Sequence, residues 1–414
     1  MNKAPRSYWQ TFFSQSTFHL LCNAFASFLS FLSNYVIVHL LSVADYGEYA
    51  SVMAYVALSA LPLSIVSLVV TKNLAGRAPS KRRAYYHYLH CRLLATVKHY
   101  WWLLLLSLSA LSVWLAVAAH FQHHASVIVA LILIVLNSLI LWWTAQLHGG
   151  QYFATVSLLA VVSMAIRLLL SYTSLKISPT LDSLYCGFVL AFVLPSGLYY
   201  AAVSRHRSLS LCPRGLSSWS GEVFTRRHWQ PAIALVIITA MLINCDVLAV
   251  KIFTDAHFAG LYGLYSLFAK IILYASQPLI NVAYTHFNAH VKQRQKVFWL
   301  SLLLIGGFTA VMSLLYAFFP QTLILLVGQA DYLSLSPILY LAALFGGLYT
   351  ALMLAGQYLV ATNNQLIKFG LLSPLLQIVA IAFYHQTPLQ IMMVNIIVSS
   401  ATLLFFILGR RRAA

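Results

Sequence analysis

Val43-Ala-Asp-Tyr-Gly-Glu-Tyr-Ala50 joins the first two apolar runs of the chain, and Asp255-Ala-His-Phe-Ala-Gly-Leu-Tyr262 stands in the same place after the seventh. Gly47-x-Tyr49 and Gly260-x-Tyr262 are 213 residues apart in a chain of 414, and each opens the second helix of a set of six. Gln146 in the fourth run is matched by Gln357 in the tenth, at nearly the same interval. A six-helix set has an even number of spans, so both halves insert with one orientation, and an axis along the membrane normal relates them. The reading is an all-α integral membrane protein with twelve transmembrane helices in two six-helix lobes. An N-terminal lobe, 1–204, and a C-terminal lobe, 231–414, are joined by a basic connector, 205–230, rich in Ser, Arg and Gly with Pro213.

Composition leads to the same place. Apolar residues make up 61% of the chain and charged ones 8%, with a mean hydropathy of +0.83. A soluble domain carries about 25% charged residues, so a water-soluble globular protein is excluded. About 20 apolar residues cross a bilayer, and the apolar runs place spans at 18–41, 49–70, 100–119, 126–147, 154–175 and 183–204. The second six fall at 231–253, 258–285, 297–319, 334–360, 367–384 and 388–408.

This count sorts the charges. Of 25 Lys and Arg, 21 fall on one side, including Lys3, Arg6, Arg77, Arg83, Arg207, Arg227, Lys292, Lys368 and Arg410. The other side holds Lys176 alone, together with Asp45, Glu48, Asp182, Asp255 and Asp331. By the positive-inside rule both termini are cytoplasmic, and a miscount by one helix would scramble the segregation. The net charge of +18 is thereby explained as topology rather than nucleic-acid binding. The connector 71–99, with seven cations beside Tyr85, Tyr86 and Tyr88, either enforces this topology or also lies against anionic lipid. The polar start, Met1 to Gln10, lacks a small-residue cleavage site, so no cleaved signal peptide is expected.

Other functions lack their equipment. The five cysteines occur singly, with no C-x-x-C pair and no His/Cys cluster, so neither a disulfide framework nor a metal site is expected. There is no G-x-x-x-x-G-K-[ST] loop for ATP and no H-E-x-x-H. A membrane glycan polymerase or ligase needs acid/base groups and a sizeable external loop. Seven carboxylates and a longest external segment of 320–333 offer little. No enzyme activity and no cofactor are expected.

The stretch Leu40-Leu-Ser-Val-Ala-Asp-Tyr-Gly-Glu-Tyr-Ala50 resembles the first-helix exit of bacterial polysaccharide flippases in the multidrug/oligosaccharidyl-lipid/polysaccharide exporter superfamily. Asp246-Val-Leu-Ala-Val250, followed by Ala259-Gly-Leu-Tyr-Gly-Leu-Tyr-Ser266 and Gln277-Pro278, resembles the matching start of that family's second lobe. The resemblance implies a transporter of undecaprenyl-pyrophosphate oligosaccharide for O-antigen, capsule or exopolysaccharide synthesis, working in the bacterial inner membrane. It also implies a cavity between two lobes that opens alternately to the two faces. The family often carries several basic residues in its first two helices. Here the first helix offers His19, Asn23, Asn34 and His39. A multidrug/cation antiporter of the same superfamily is the alternative. It would want an acid in the first helix, and none lies between Phe18 and Leu41.

Four ionisable residues remain deep in spans: Arg167, Asp246, Lys251 and Lys270. Each costs at least about 2.5–3.5 kcal/mol at the bilayer centre and so faces a cavity or a partner. Arg167 and Lys270 are too deep to snorkel and are expected to attract the pyrophosphate, the first as a fork and the second as a point charge. Asp246 serves either as counter-ion or coupling site, with a proton or sodium as the coupling ion, or as a packing partner of Lys270 or Arg167. Lys251, two residues before a span end, is expected to snorkel. Asn34, Gln277 and Asn281 either bind sugar hydroxyls or hold helices together. Pro278 permits a bend. The expected partners are the lipid-linked oligosaccharide and membrane lipids, with the protein a monomer.

Overall fold

The fold is seen in a computed structural model, which describes residues 8–67, 124–149, 152–206, 226–289 and 293–411, with scattered positions between 95 and 121. Regular structure among the described residues is helical throughout. We number the helices α1 (Tyr8–Leu40), α2 (Val43–Ser59), α3 (His124–Gly149), α4 (Phe153–Ile177), α5 (Leu181–His206) and α6 (Arg226–Phe253). They continue with α7 (Ala256–Ala289), α8 (Arg294–Phe318), α9 (Pro320–Val327), α10 (Leu339–Ala361), α11 (Leu372–Phe383) and α12 (Pro388–Arg411). Among the described residues ten helices are long and apolar enough to span, and the pair Val43–Ser59 and Leu61–Ser67, bent by 43°, makes an eleventh if it is one span. The third expected span, 100–119, falls mostly outside the described residues. Those described within it, such as Trp102, Leu106 and Trp114, are helical. The greater part of the connector 205–230 also lies outside them, and α6 begins within its last residues.

Local chemistry at the second helix of each lobe repeats. The Ser42 hydroxyl accepts the Asp45 amide (3.2 Å) and caps α2. The Asp255 carboxylate accepts the Phe258 amide (2.7 Å) at the start of α7. A side-chain oxygen at this position satisfies one of the orphan amides of the first turn. Ser42 and Asp255 stand at the interval that separates Gly47 from Gly260, so the repeat read in the sequence is a repeat of cap, glycine and tyrosine.

Within the N-terminal lobe α1 packs on α4, α4 on α5, and α3 on α5 and α2. In the C-terminal lobe α10 is central, packed against α7, α8 and α12, while α6 packs on α11. Between lobes, α2 lies on α7 and α6, and α1 touches α7. The α2–α7 crossing is very close. A Cβ placed on Gly47 would sit 2.5 Å from the Gly260 nitrogen and 2.8 Å from the Ala256 carbonyl oxygen, and one on Gly260 would strike the Val43 carbonyl. Only glycine permits such an approach. Because the two repeat-related glycines meet each other, the pseudo-twofold axis runs through this crossing.

A second tie closes the same end of the molecule. The segment 320–333, expected as a loop, is instead the short helix α9, with Pro320 in its first turn, followed by a 3-10 stretch Ala330–Ile338. Proline suits a first helical turn, where its missing amide has no partner to lose. Between the two pieces Gln329 donates to the carbonyls of His39 (2.9 Å) and Leu41 (3.1 Å) at the end of α1. We call this end, with residues 39–47, 255–263 and 329, the sealed end.

Candidate functional site

Below the glycine crossing the lobes diverge and enclose a cavity of about 190 Å³. Its N-terminal wall is Ser30 and Asn34 of α1, Tyr46, Tyr49, Ala50, Met53, Ala54 and Ala57 of α2, and Arg167 of α4. Its C-terminal wall is Asn244 and Val247 of α6 with Gly263, Ser266, Leu267, Lys270 and Tyr274 of α7. Each lobe thus contributes one cation, Arg167 from the first and Lys270 from the second. The hydroxyls and amides of Ser30, Asn34, Tyr46, Tyr49, Asn244, Ser266 and Tyr274 share the wall between them with apolar side chains.

Arg167 is held by aromatic and polar neighbours rather than by a carboxylate. Its Nη2 donates to the Tyr49 hydroxyl (2.9 Å), and its guanidinium carbon lies 4.8 Å from the centre of the Phe188 ring. The Tyr49 hydroxyl donates in turn to Asn34 Oδ1 (3.4 Å), whose amide nitrogen donates to the Ser30 carbonyl (2.9 Å). The Arg167 Nε is buried and has no acceptor among the described residues. A buried donor left unpaired costs about 1–3 kcal/mol, more on a charged group, so this fork is one acceptor short. On its other side Arg167 lines a second chamber of about 300 Å³ inside the N-terminal lobe. Asn137, Ser163 and Tyr199 share that wall with Met53, Met164 and Phe192.

Asp246 does not line the cavity. It is fully buried behind α7 and accepts from the Tyr262 hydroxyl (2.5 Å) and the Val247 amide (2.8 Å). Asn395 donates to the Tyr262 oxygen (2.5 Å) and lies 3.5 Å from the carboxylate, and Gln377 donates to Asn395 (2.8 Å) and to the Leu242 carbonyl (3.0 Å). This network ties α6, α7, α11 and α12. Tyr262 and Tyr49 occupy matching places in the repeat, yet Tyr49 serves a cation and Tyr262 an anion.

The remaining expected site residues divide. Asn34 lines the cavity. Gln277 and Asn281 are hydrogen-bonded to each other (3.1 Å) on α7, past Tyr274, the last residue of that helix to line the cavity. Lys251 does not snorkel. It is 2% exposed, buried within the protein. Sequence reading missed Tyr46, Tyr274, Ser30 and Ser266 as wall residues. Tyr49 was visible only as part of the Gly-x-Tyr repeat, and that repeat is what places it beside the crossing.

No family model and no curated protein matches the sequence. Solved structures do match it. One is the inward-facing conformation of a multidrug resistance MATE family transporter of the MOP superfamily, 13% identical over 93% of this chain and 94% of that one, with a TM-score of 0.67. Another is the lipid II flippase MurJ in an inward closed conformation, 12% identical over 95% and 87%, at 0.69. A MATE transporter of the MOP superfamily in its outward-facing conformation matches at 0.60, with 13% identity over 97% and 94%. The likeness is one of fold: the chain has the two-lobed, twelve-helix architecture of these solved structures.

Proposed function

We propose that the protein carries an anionic, lipid-linked oligosaccharide of the undecaprenyl-pyrophosphate type across the bacterial cytoplasmic membrane for surface-polysaccharide synthesis. The observation that carries this reading is the pair of cations, one per lobe, on the wall of a cavity between the lobes that also carries hydroxyls and amides. Moving a diphosphate through lipid demands replacement of its water by cations and donors. The orphan Nε of Arg167 is a donor that a phosphate oxygen satisfies, and a guanidinium fork binds such oxygens in pairs. A multidrug cation would instead meet Arg167 and Lys270 as like charges, which disfavours the antiporter alternative.

With both termini cytoplasmic, the sealed end is the outer one and the cavity loads from inside. Alternating access then requires the α2–α7 crossing and the Gln329 tie to part while the opposite ends of the lobes approach. Asp246, buried behind Lys270, is the counter-ion of that lysine and the group through which a proton or sodium would couple to it. The protein acts as a monomer, with the lipid-linked sugar and membrane lipid as its partners.

Neutralising the two cations tests the reading. Arg167→Gln and Lys270→Gln, at matched protein levels, are expected each to cut surface glycan by tenfold or more, about the effect of losing one charge-assisted bond of 1.5–3 kcal/mol. Full export by both variants would reject it.

A further inference from the structure

Arg167 stands in the partition between two spaces. The cavity between the lobes and the chamber inside the N-terminal lobe share Met53, Ala57 and Arg167 as wall residues, so the two adjoin along α2 and the arginine side chain. The transport reading above uses the first space and leaves the second without a role. The chamber, about 300 Å³ among α2, α3, α4 and α5, has room for one small polar molecule and not for an oligosaccharide.

Its polar groups are few and short of partners. The side-chain amide of Asn137, on α3, makes no hydrogen bond among the described residues. Ser163 donates to the Leu159 carbonyl (2.6 Å), which leaves its oxygen free to accept. Pro195, inside α5, has no amide hydrogen to give to the carbonyl of Ala191 one turn before it, and both residues are on the chamber wall. Between these groups the wall is apolar, with Met53, Met164 and Phe192. A ligand suited to it offers a donor and an acceptor close together, and a methyl group besides. A plain hexose offers only hydroxyls, and this wall would leave most of them unpaired at a cost. An acetamido group carries an N–H, a carbonyl and a methyl in one compact unit.

We propose that this chamber is the subsite for the first sugar of the lipid-linked substrate, and that it selects a sugar bearing an N-acetyl group. The acetamido unit would meet the Asn137 amide and the Ala191 carbonyl, with its methyl among Met53, Met164 and Phe192. The proposal rests on the transport reading, because it needs a diphosphate at Arg167. The first sugar is bonded directly to that diphosphate, and the residue that grips the phosphate is itself part of the chamber wall. A sugar one bond away enters the chamber without displacing the phosphate. A site built to hydrogen-bond a group rejects the analogue that lacks it more strongly than an apolar pocket does. Sugars beyond the first meet no such wall, so the protein is selective for the first unit and tolerant of the rest.

Native mass spectrometry of the purified full chain tests this with four lipids: undecaprenyl diphosphate alone, and the same lipid carrying glucose, N-acetylglucosamine or N-acetylgalactosamine. The wild-type protein is expected to bind at least one N-acetylated lipid about tenfold more tightly than the glucose lipid, the effect of pairing a buried amide. Asn137→Leu should erase that preference and bind the bare diphosphate lipid as before. Ala160→Phe, which fills the chamber from α4, should weaken the sugar-bearing lipids about tenfold and spare the bare one. Retained affinity for the bare lipid shows that each variant is folded. No N-acetyl preference in the wild-type protein, or a preference that survives Asn137→Leu, would overturn the subsite and leave the diphosphate reading standing. Equal weakening of bare and sugar-bearing lipids by both variants would also overturn it. Failure of all four lipids to bind the wild-type protein would overturn the diphosphate reading and the subsite with it.

Discussion

Arg167 concentrates the chemistry of the cavity in one side chain. Its fork reaches Tyr49, its plane lies by Phe188, and its Nε waits unpaired between two chambers. Arg167→Lys keeps a charge but loses the planar fork. Binding of undecaprenyl diphosphate is expected to weaken about tenfold in Arg167→Lys and more in Arg167→Gln, measured by native mass spectrometry of the purified protein. Equal affinity in all three proteins would remove Arg167 from the site. At the other lobe, Tyr262 donates to a buried carboxylate, a bond to a charged group worth about 1.5–3 kcal/mol. Tyr262→Phe should therefore lower the unfolding temperature, while Tyr49→Phe, whose hydroxyl meets Arg167 on the cavity wall, should lower it less. Thermal unfolding in detergent measures both. The contrast follows from burial, since Asp246 is sealed inside its lobe whereas Arg167 borders the cavity.

At the scale of helices, the crossing of α2 on α7 is set by two glycines that leave no room for a methyl group. Gly260→Ala would press a Cβ into the Val43 carbonyl, which is backbone and cannot swing aside. Overpacking of this kind costs about 1–3 kcal/mol, here charged only to the state in which the lobes touch. The expected outcome is a shift toward longer distances between spin labels at Ile177 and Phe383, exposed residues at the ends of α4 and α11, measured in lipid nanodiscs, with little change in how well the protein folds. Gly306→Ala, on α8 and facing open space, should leave those distances unchanged. Much of the helix plan could be read from the chain itself: hydropathy placed most of the spans, and the Gly-x-Tyr repeat pointed to the two glycines that meet at the crossing. Rotation about each helix axis could not be read. In a bilayer both the lipid and the protein interior are apolar, so the amphipathic stripe that orients a soluble helix is absent. Lys251 shows the effect: its place near a span end suggested snorkelling, but its side chain is buried within the protein. Gln277 shows a second gap. It lies two turns from Lys270 on the same helix face, and only the structure reveals that the cavity stops at Tyr274.

At the scale of the molecule, the two lobes are one design used with opposite charge behind it. The N-terminal lobe presents an arginine steadied by neutral groups. The C-terminal lobe presents a lysine backed by a buried aspartate. An anion between them binds both lobes at once, so it contributes to the approach of their walls in a way a neutral solute cannot. A ligand shifts a conformational equilibrium only by its differential affinity for the two states, and a charge held between two lobes supplies such a difference. The long peripheral faces of α4 and α8, with Leu169, Leu303 and Val311 exposed, are consistent with helices bathed in lipid while α7 and α10 form the interior. The direct measurement is flipping in vesicles: the protein reconstituted with a fluorescent undecaprenyl diphosphate-linked sugar, scored by dye quenching from one side. The account predicts that the wild-type protein exposes the inner-leaflet lipid, and that the paired change Arg167→Gln with Lys270→Gln abolishes this. Equal flipping by that variant, or equal flipping of an uncharged analogue in which the diphosphate is replaced by an ether, would contradict it.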